Sequence, residues 1–350
     1  MIRHRDQKRS SSSSSGGVHE FSMEKKYGQN LLTNSNLLDA IVEKAHLRAS
    51  DVVLEIGPGT GNLTVRMLAK VKKVIVVEID PRMIAAIQKR VKGQPYEKKL
   101  KILYGDAIKV AFPYFDVCVA NTPFQISSPL VFKLLSHRPF FRSAVLMFQK
   151  EFSMRLIAKP GDPLYCRLSL NTQLLSKCTQ VLKVSRHNFR PPPKVDASVV
   201  RIIPHNPPPP LNFIEWDGLV RLCFSRKNKT LAAIFRKKTT VKLLAENYRT
   251  YCMLNKIAMP NLEAYEKQLQ QPKSSSSTTT TTKRNSKVKF NKHTSKKTTT
   301  SSTTSTTPQK VNRGALHLWM KQKIQHILES IKMSSMRSSK MDIDDFLKIL

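Results

Sequence analysis

Apolar residues fall at Leu37, Leu38, Ile41, Val42 and Ala45, the spacing of one helix face, with Asn34 or Ser35 placed to cap that helix. From residue 52 the pattern changes to short apolar runs separated by amphipathic segments. The runs at 52–56, 74–77, 101–104, 117–120 and 144–148 are too short for helices and rich in branched side chains, which predicts buried strands. Residues 63–70, 82–91 and 130–135 read as helices between them. Strand and helix in alternation predict an α/β fold built on a parallel, doubly wound, Rossmann-like sheet. Ligands on such sheets bind beyond the carboxyl ends of the strands.

The rhythm stops after Phe189-Arg190-Pro191-Pro192-Pro193. Four more prolines occupy 207–210, and residues 216–251 then read as helices that gather Arg221, Arg226, Lys227, Lys229, Arg236, Lys237 and Lys238. Residues 273–310 are serine, threonine and lysine with hardly an apolar side chain, too few to offset the entropy of folding. Helical periodicity returns over 316–331. The expected organisation is a disordered, basic, serine-rich arm at 1–24, an α/β domain at 25–203, and a smaller helical domain at 204–350. A disordered insertion at 273–310 interrupts that helical domain.

Sixty basic residues against 24 acidic ones give a net charge of +36. More than half of the excess falls within residues 27–271, so it is a property of the folded part and not only of the tails. A polyanionic partner, nucleic acid first, is the inference. Cys118, Cys166, Cys178, Cys223 and Cys252 show no CxxC pair and no histidine at ligand spacing, which argues against a metal site or a disulfide framework. No apolar run is long enough to predict a membrane span. Arg3, Arg5, Lys8 and Arg9 ahead of six serines form a candidate nuclear address.

Three strand ends carry polar signals in series. Leu54-Glu55-Ile56-Gly57-Pro58-Gly59-Thr60-Gly61 follows the first strand, and its glycines permit a tight turn and close approach of backbone to a nucleotide. Glu78 ends the second strand, where a carboxylate can accept both hydroxyls of a ribose; Asp106 ends the third, where it can accept an adenine amine. With no phosphate-binding lysine among them, these features point to S-adenosylmethionine and away from NAD or ATP. At the end of the fourth strand stands Asn121-Thr122-Pro123-Phe124. An adenine N6 amine is a poor nucleophile, because its lone pair is delocalised into the ring. The Asn121 side-chain oxygen and the Pro123 carbonyl can accept its two N–H groups and favour a pyramidal nitrogen, and Phe124 can stack on the base.

These stretches carry a resemblance. Tyr27-Gly28-Gln29-Asn30-Leu31-Leu32, the glycine turn, Val77-Glu78-Ile79-Asp80, Gly105-Asp106, Asn121 through Pro129 and Phe189 through Val195 resemble the eukaryotic small-subunit rRNA adenine-N6,N6 dimethyltransferases. So does the ending Met341-Asp342-Ile343-Asp344-Asp345-Phe346. The resemblance implies a class I methyltransferase domain and a helical C-terminal domain, dimethylating two adjacent adenines near the 3′ end of small-subunit (18S) rRNA. It implies pre-ribosomal particles as partners, a nucleolar location, a monomer outside the particle, and Asn30 and Leu32 as further cofactor contacts. Asn30 stands where many eukaryotic members have histidine, and Phe124 where tyrosine is usual.

Two other functions use the same elements: methylation of a protein glutamine, and non-catalytic rRNA binding during ribosome assembly. The basic core argues against the first, and the full set of candidate cofactor and acceptor residues against the second. Deleting 273–310 is expected to leave the melting temperature and turnover on a short RNA unchanged. Binding to long RNA should weaken and lose part of its salt dependence, because fewer counterions are released. Salt-titrated binding isotherms and calorimetry on the deletion protein check this, and loss of fold would instead make the segment structural.

Overall fold

A computed structural model of the protein describes residues 30–270 and 312–350. The arm expected at 1–24, Tyr27-Gly28-Gln29 and the insertion at 273–310 lie outside the described residues. The elements begin with β1 (Leu31–Leu32), α1 (Ser35–Lys44), β2 (Val52–Ile56), α2 (Thr64–Leu68), β3 (Lys73–Glu78), α3 (Pro81–Val91), β4 (Leu100–Tyr104) and β5 (Val117–Asn121). They continue with α4 (Ser127–Ser136), β6 (Ser143–Gln149), α5 (Lys150–Ile157), α6 (Arg167–Leu175), β7 (Ser176–Val184), β8 (Phe189–Arg190) and β9 (Ala197–Pro204). Helices follow: α7 (Phe213–Phe224), α8 (Leu231–Phe235), α9 (Lys238–Leu254), α10 (Glu263–Gln270), α11 (Arg313–Ser330) and α12 (Ile343–Ile349).

Seven strands form one sheet in the order β4-β3-β2-β5-β6-β9-β7. The first five are parallel; β9 runs antiparallel to both β6 and β7. The chain passes from β2 outward to β3 and β4, then returns to β5 on the other side of β2. That reversal is the switch point at which open α/β sheets bind ligands. Pairing is unequal there. β2 pairs with β3 from Val52↔Lys73 to Ile56↔Val77, but with β5 only at Val53↔Val117 and Leu54↔Cys118. The carboxyl ends of β2 and β5 therefore part, and a crevice opens between them.

Because the sheet is covered on both faces, its central strands are mostly apolar, Glu55 of β2 excepted, and successive residues face opposite layers. Val53, Val74, Val76, Val117 and Val119 pack with Leu38 and Ile41 of α1. Leu54, Ile56, Ile75, Val77, Cys118 and Ala120 pack with Leu130 and Leu134 of α4. Asn34 caps α1 by accepting from the backbone N–H of Leu37 at 3.2 Å. Asp80 caps α3, with Pro81 opening the helix. The five strands and the helices predicted from periodicity are present with ends shifted by a few residues.

Two long strands have no counterpart in the sequence prediction. β7 alternates polar residues such as Lys177, Thr179 and Lys183 with half-buried ones, because it is a sheet edge and gains little from apolar patterning. β9 is an apolar run buried between β6 and β7, and it lies just past the prolines that had marked the end of the strand rhythm. β8 begins that proline run and pairs antiparallel with β1, Leu31 opposite Arg190 and Leu32 opposite Phe189.

Two compact units divide the chain, Met1–Asp217 and Gly218–Leu350. The second is helical. Val241, Ala245, Leu316 and Met320 form its buried centre, Tyr248 packs on Trp319, and Phe346 stacks on Phe224. Residues on both sides of 271–311 thus contribute to one core. Among the described residues no helix is long and apolar enough to cross a membrane, and no cluster of His, Cys, Asp or Glu could hold a metal ion.

Candidate active site

The crevice is built first from the turn after β2. Gly57 and Gly59 have φ of +61° and +57°, a backbone conformation that side chains other than glycine rarely adopt. A Cβ on Gly59 would come within 2.7 Å of Leu31, and one on Gly57 within 3.3 Å of Pro123. The second contact shows how closely the glycine turn approaches the turn after β5. The Gly57 N–H donates to the Val77 carbonyl at 2.9 Å, which fixes the start of the turn to β3.

Carboxyl groups from three neighbouring strand ends face the same space. Glu78 is 5% exposed; its Oε1 accepts the backbone N–H groups of Ile79 (2.9 Å) and Asp80 (3.0 Å), and its Oε2 is 3.4 Å from the Gly59 nitrogen. Burial raises its pKa, and those N–H groups oppose the shift. Asp106 accepts the Ile108 N–H at 2.8 Å, which holds the loop after β4 in a tight turn. Glu55, one residue before the end of β2, is 1% exposed and accepts from the Thr64 hydroxyl at 2.7 Å. Burial pushes its carboxyl up to about 8, the Thr64 hydrogen bond opposing and the nearby Glu78 adding to the rise.

At the end of β5, Asn121 donates through Nδ2 to the Asn30 carbonyl at 3.0 Å. A carbonyl partner requires a donor, so Oδ1 is left as the acceptor. Thr122 is buried and donates to the Met147 carbonyl of β6 at 2.5 Å, which pins the turn to the sheet. The Pro123 carbonyl accepts the Ile126 N–H at 3.2 Å, leaving one of its two lone pairs. Phe124 opens a 3₁₀ turn; it is half-buried, packing partly on the core below.

Asn30, Leu32, Gly57, Gly59, Glu78, Asp106, Asn121, Pro123 and Phe124, the nine site residues singled out in the sequence, all line one cavity of about 260 Å³. Glu55, Ile79, Ala107, Asn62 and Gln125 line it as well. Ile79 and Ala107 each follow an acid by one position. An exposed isoleucine at a strand end, as Ile79 is, was the available sign of it. Among the described residues the lining contains carboxyl, amide and hydroxyl groups and no lysine, arginine or histidine.

With this geometry in place, residues 20–272 match the model of the family described as ribosomal RNA adenine dimethylase. The chain belongs to that family. A probable dimethyladenosine transferase of Dictyostelium discoideum is 62% identical over 253 residues, 72% of this chain and 80% of that protein. The dimethyladenosine transferase of Schizosaccharomyces pombe is 60% identical over 235 residues, 67% and 76% of the two chains. Among solved structures, a dimethyladenosine transferase from Plasmodium falciparum is similar with a TM-score of 0.72 at 42% identity, covering 91% of this chain and 96% of that one. The 23S rRNA methyltransferase ErmE is similar over 62% of this chain and 88% of its own, with a TM-score of 0.50 and 29% identity. This member of the family is an rRNA adenine dimethyltransferase, and its α/β unit has the Rossmann-like methyltransferase fold.

Glu55 gives the site a pH signature. In the unfolded chain its carboxyl ionises near 4.5, whereas in the folded protein it holds its proton to about 8. Folding takes up a proton between those values, so stability falls as pH rises through that window and levels off above it. Glu55→Gln keeps an acceptor for Thr64 and removes the titration. Between about pH 6 and pH 9 the wild-type protein should lose on the order of 2 kcal/mol more stability than the variant. Urea denaturation of both at the two pH values checks this, and parallel losses would mean that Glu55 is ionised throughout.

Proposed function

We propose that the cavity binds S-adenosylmethionine and that the turn from Asn121 to Phe124 presents the N6 amine of an unpaired adenine to it. One observation carries the reading: three strand-end acids share a lining that, among the described residues, holds no cationic side chain. Such a lining disfavours the phosphates of ATP or a dinucleotide and suits a sulfonium nucleoside. The residues fit that group. Glu78 Oε1 accepts two short backbone hydrogen bonds, and Oε2 accepts one long one from Gly59 at 3.4 Å and has a further lone pair for ribose hydroxyls. Asp106, which lines the cavity, accepts the adenine amine in this reading, with Ile79 and Ala107 of the same lining as apolar surfaces for the ring. Gly57 and Gly59 keep the floor free of side chains, and Asn30 and Leu32 close it from the other side.

When bound, S-adenosylmethionine supplies an electrophilic methyl group, which passes to the amine nitrogen in a single displacement as the carbon–sulfur bond breaks. Asn121 Oδ1 and the remaining lone pair of the Pro123 carbonyl accept the two N–H groups of the adenine. They thereby draw the nitrogen toward a pyramidal geometry with an available lone pair. Phe124 stacks on the base after it leaves its helix. No general base is required, since the proton leaves after the methyl arrives. The substrate is two adjacent adenines near the 3′ end of small-subunit (18S) rRNA within pre-ribosomal particles. The enzyme acts as a monomer in the nucleolus during ribosome biogenesis. The positive charge of residues 27–271 supports a large RNA partner.

Glu78→Ala should weaken S-adenosylmethionine binding by about 1–3 kcal/mol, the cost of leaving buried hydroxyls unpaired; calorimetry giving unchanged affinity would remove Glu78 from the site. Asn121→Ala should abolish methyl transfer with a smaller effect on cofactor affinity, as removal of such an acceptor raises the barrier by about 3–4 kcal/mol. Phe124→Tyr should stay active, and Phe124→Ala should lose about 1–3 kcal/mol of base binding. Since Phe124 also touches the core, melting temperature is measured beside methylation, and an alanine variant that is less stable yet fully active in the cold excludes stacking. Labelled cofactor with immature small subunits, followed by mapping of the methylated nucleotide, tests the substrate.

A further inference from the structure

Lys133 lies on α4, nine residues after the acceptor turn ends in Phe124, and its side chain does not reach solvent freely. Its ammonium donates to the carbonyl oxygens of Ala107 (2.8 Å), Ile108 (2.9 Å) and Val110 (2.5 Å). Three bonds exhaust its three donors. It also sits 4.2 Å from the centre of the Phe112 ring. The carbonyls belong to a single turn of chain. Asp106 accepts the Ile108 N–H through its side chain and the Lys109 and Val110 N–H groups through its carbonyl, both at 2.9 Å. Residues 106–110 therefore form one helix-like turn that starts at the cavity and whose carbonyl end faces a cation, the favourable placement of charge at a helix C-terminus.

A solvated surface lysine has none of these constraints. Burial lowers the pKa of Lys133, with the charge of Asp106 opposing, as expected for an ammonium taken partly out of water and held by carbonyls. α4 itself is tied to the acceptor turn, because Ser127 in its first turn donates to the Phe124 carbonyl at 2.9 Å. One short stretch, 124–133, thus touches the acceptor turn at one end and the Asp106 turn at the other.

We propose that Lys133 is a positioning residue that locks the 106–110 turn, and with it Asp106 and Ala107, in the conformation that receives the adenine of the methyl donor. The inference rests on the reading of Asp106 as the acceptor of that adenine. Removing the ammonium leaves the fold of the sheet in place and frees the turn, so it acts on donor binding and not on RNA binding.

The test compares K133M, K133R and D106A with the wild-type full chain, using S-adenosylmethionine calorimetry, steady-state KM for donor and for RNA, and hydrogen exchange without donor. K133M should weaken donor binding about tenfold, raise the donor KM in parallel and leave the RNA KM within about twofold. Amides of 106–110 should exchange at least tenfold faster in it, at near-wild-type rates elsewhere in the sheet. K133M with wild-type donor affinity beside a D106A protein that binds poorly would overturn the role of Lys133 alone. D106A with wild-type affinity would overturn the reading of Asp106 and this inference with it. Should K133M fail to fold, K133R decides, because a planar guanidinium cannot converge on three carbonyls as an ammonium does. Donor affinity reduced several-fold at an unchanged melting temperature then supports the role, and wild-type affinity overturns it.

Discussion

Between β2 and β5 the pairing stops at Leu54 and Cys118 although both strands continue, because the chain leaves β2 in one direction across the sheet and β5 in the other. The strand ends beyond that point need other partners, and finding them builds the site. Gly57 turns back to donate to β3, Thr122 pins its turn to β6, and Asn121 reaches the carbonyl of Asn30. The first satisfies a backbone N–H beyond the end of the ladder, and the other two tie side chains at the parted end of β5 to neighbouring backbone. The crevice and the rigidity of its walls thus have one origin.

Gathering Glu55, Glu78 and Asp106 at one end of a sheet creates a like-charge problem. Among the described residues no cationic side chain lines the cavity to offset it, and Lys133 acts only from behind the Asp106 turn. Glu78 is held by backbone N–H groups, Asp106 by the turn it nucleates, and Glu55 by a hydroxyl and by keeping its proton. A lining of that kind offers acceptors and negative potential to whatever enters, which selects for hydroxyls, amines and positive charge over phosphate. The strongly basic remainder of the chain has the opposite character, suited to a polyanion.

Much of this was legible in the sequence where a single element carried the signal. Short apolar runs located the five parallel strands, and the acids and glycines at their ends marked the cavity, because each depends on residues adjacent in the chain. The failures share a cause as well. β7 is an edge strand with polar alternation, and β9 hides behind prolines, so neither shows a distinct pattern of its own. Asn30 enters the site only through a partner 91 positions away, which no local spacing reveals, and only family resemblance drew attention to it. Lys133 looks like any lysine on an amphipathic helix until the turn it serves is folded against it.

The bond between Asn121 and Asn30 has a meaning beyond geometry. Asn30 leads into β1, and β1 is held by only two residues of pairing to β8, which the chain supplies near position 190. The Asn121 amide is therefore oriented by a segment from the start of the α/β unit, which pairs in turn with a segment from near its end. One amide at the cavity thus ties together segments from both ends of the α/β unit, so that wall of the cavity is a product of the whole unit and not of any one strand.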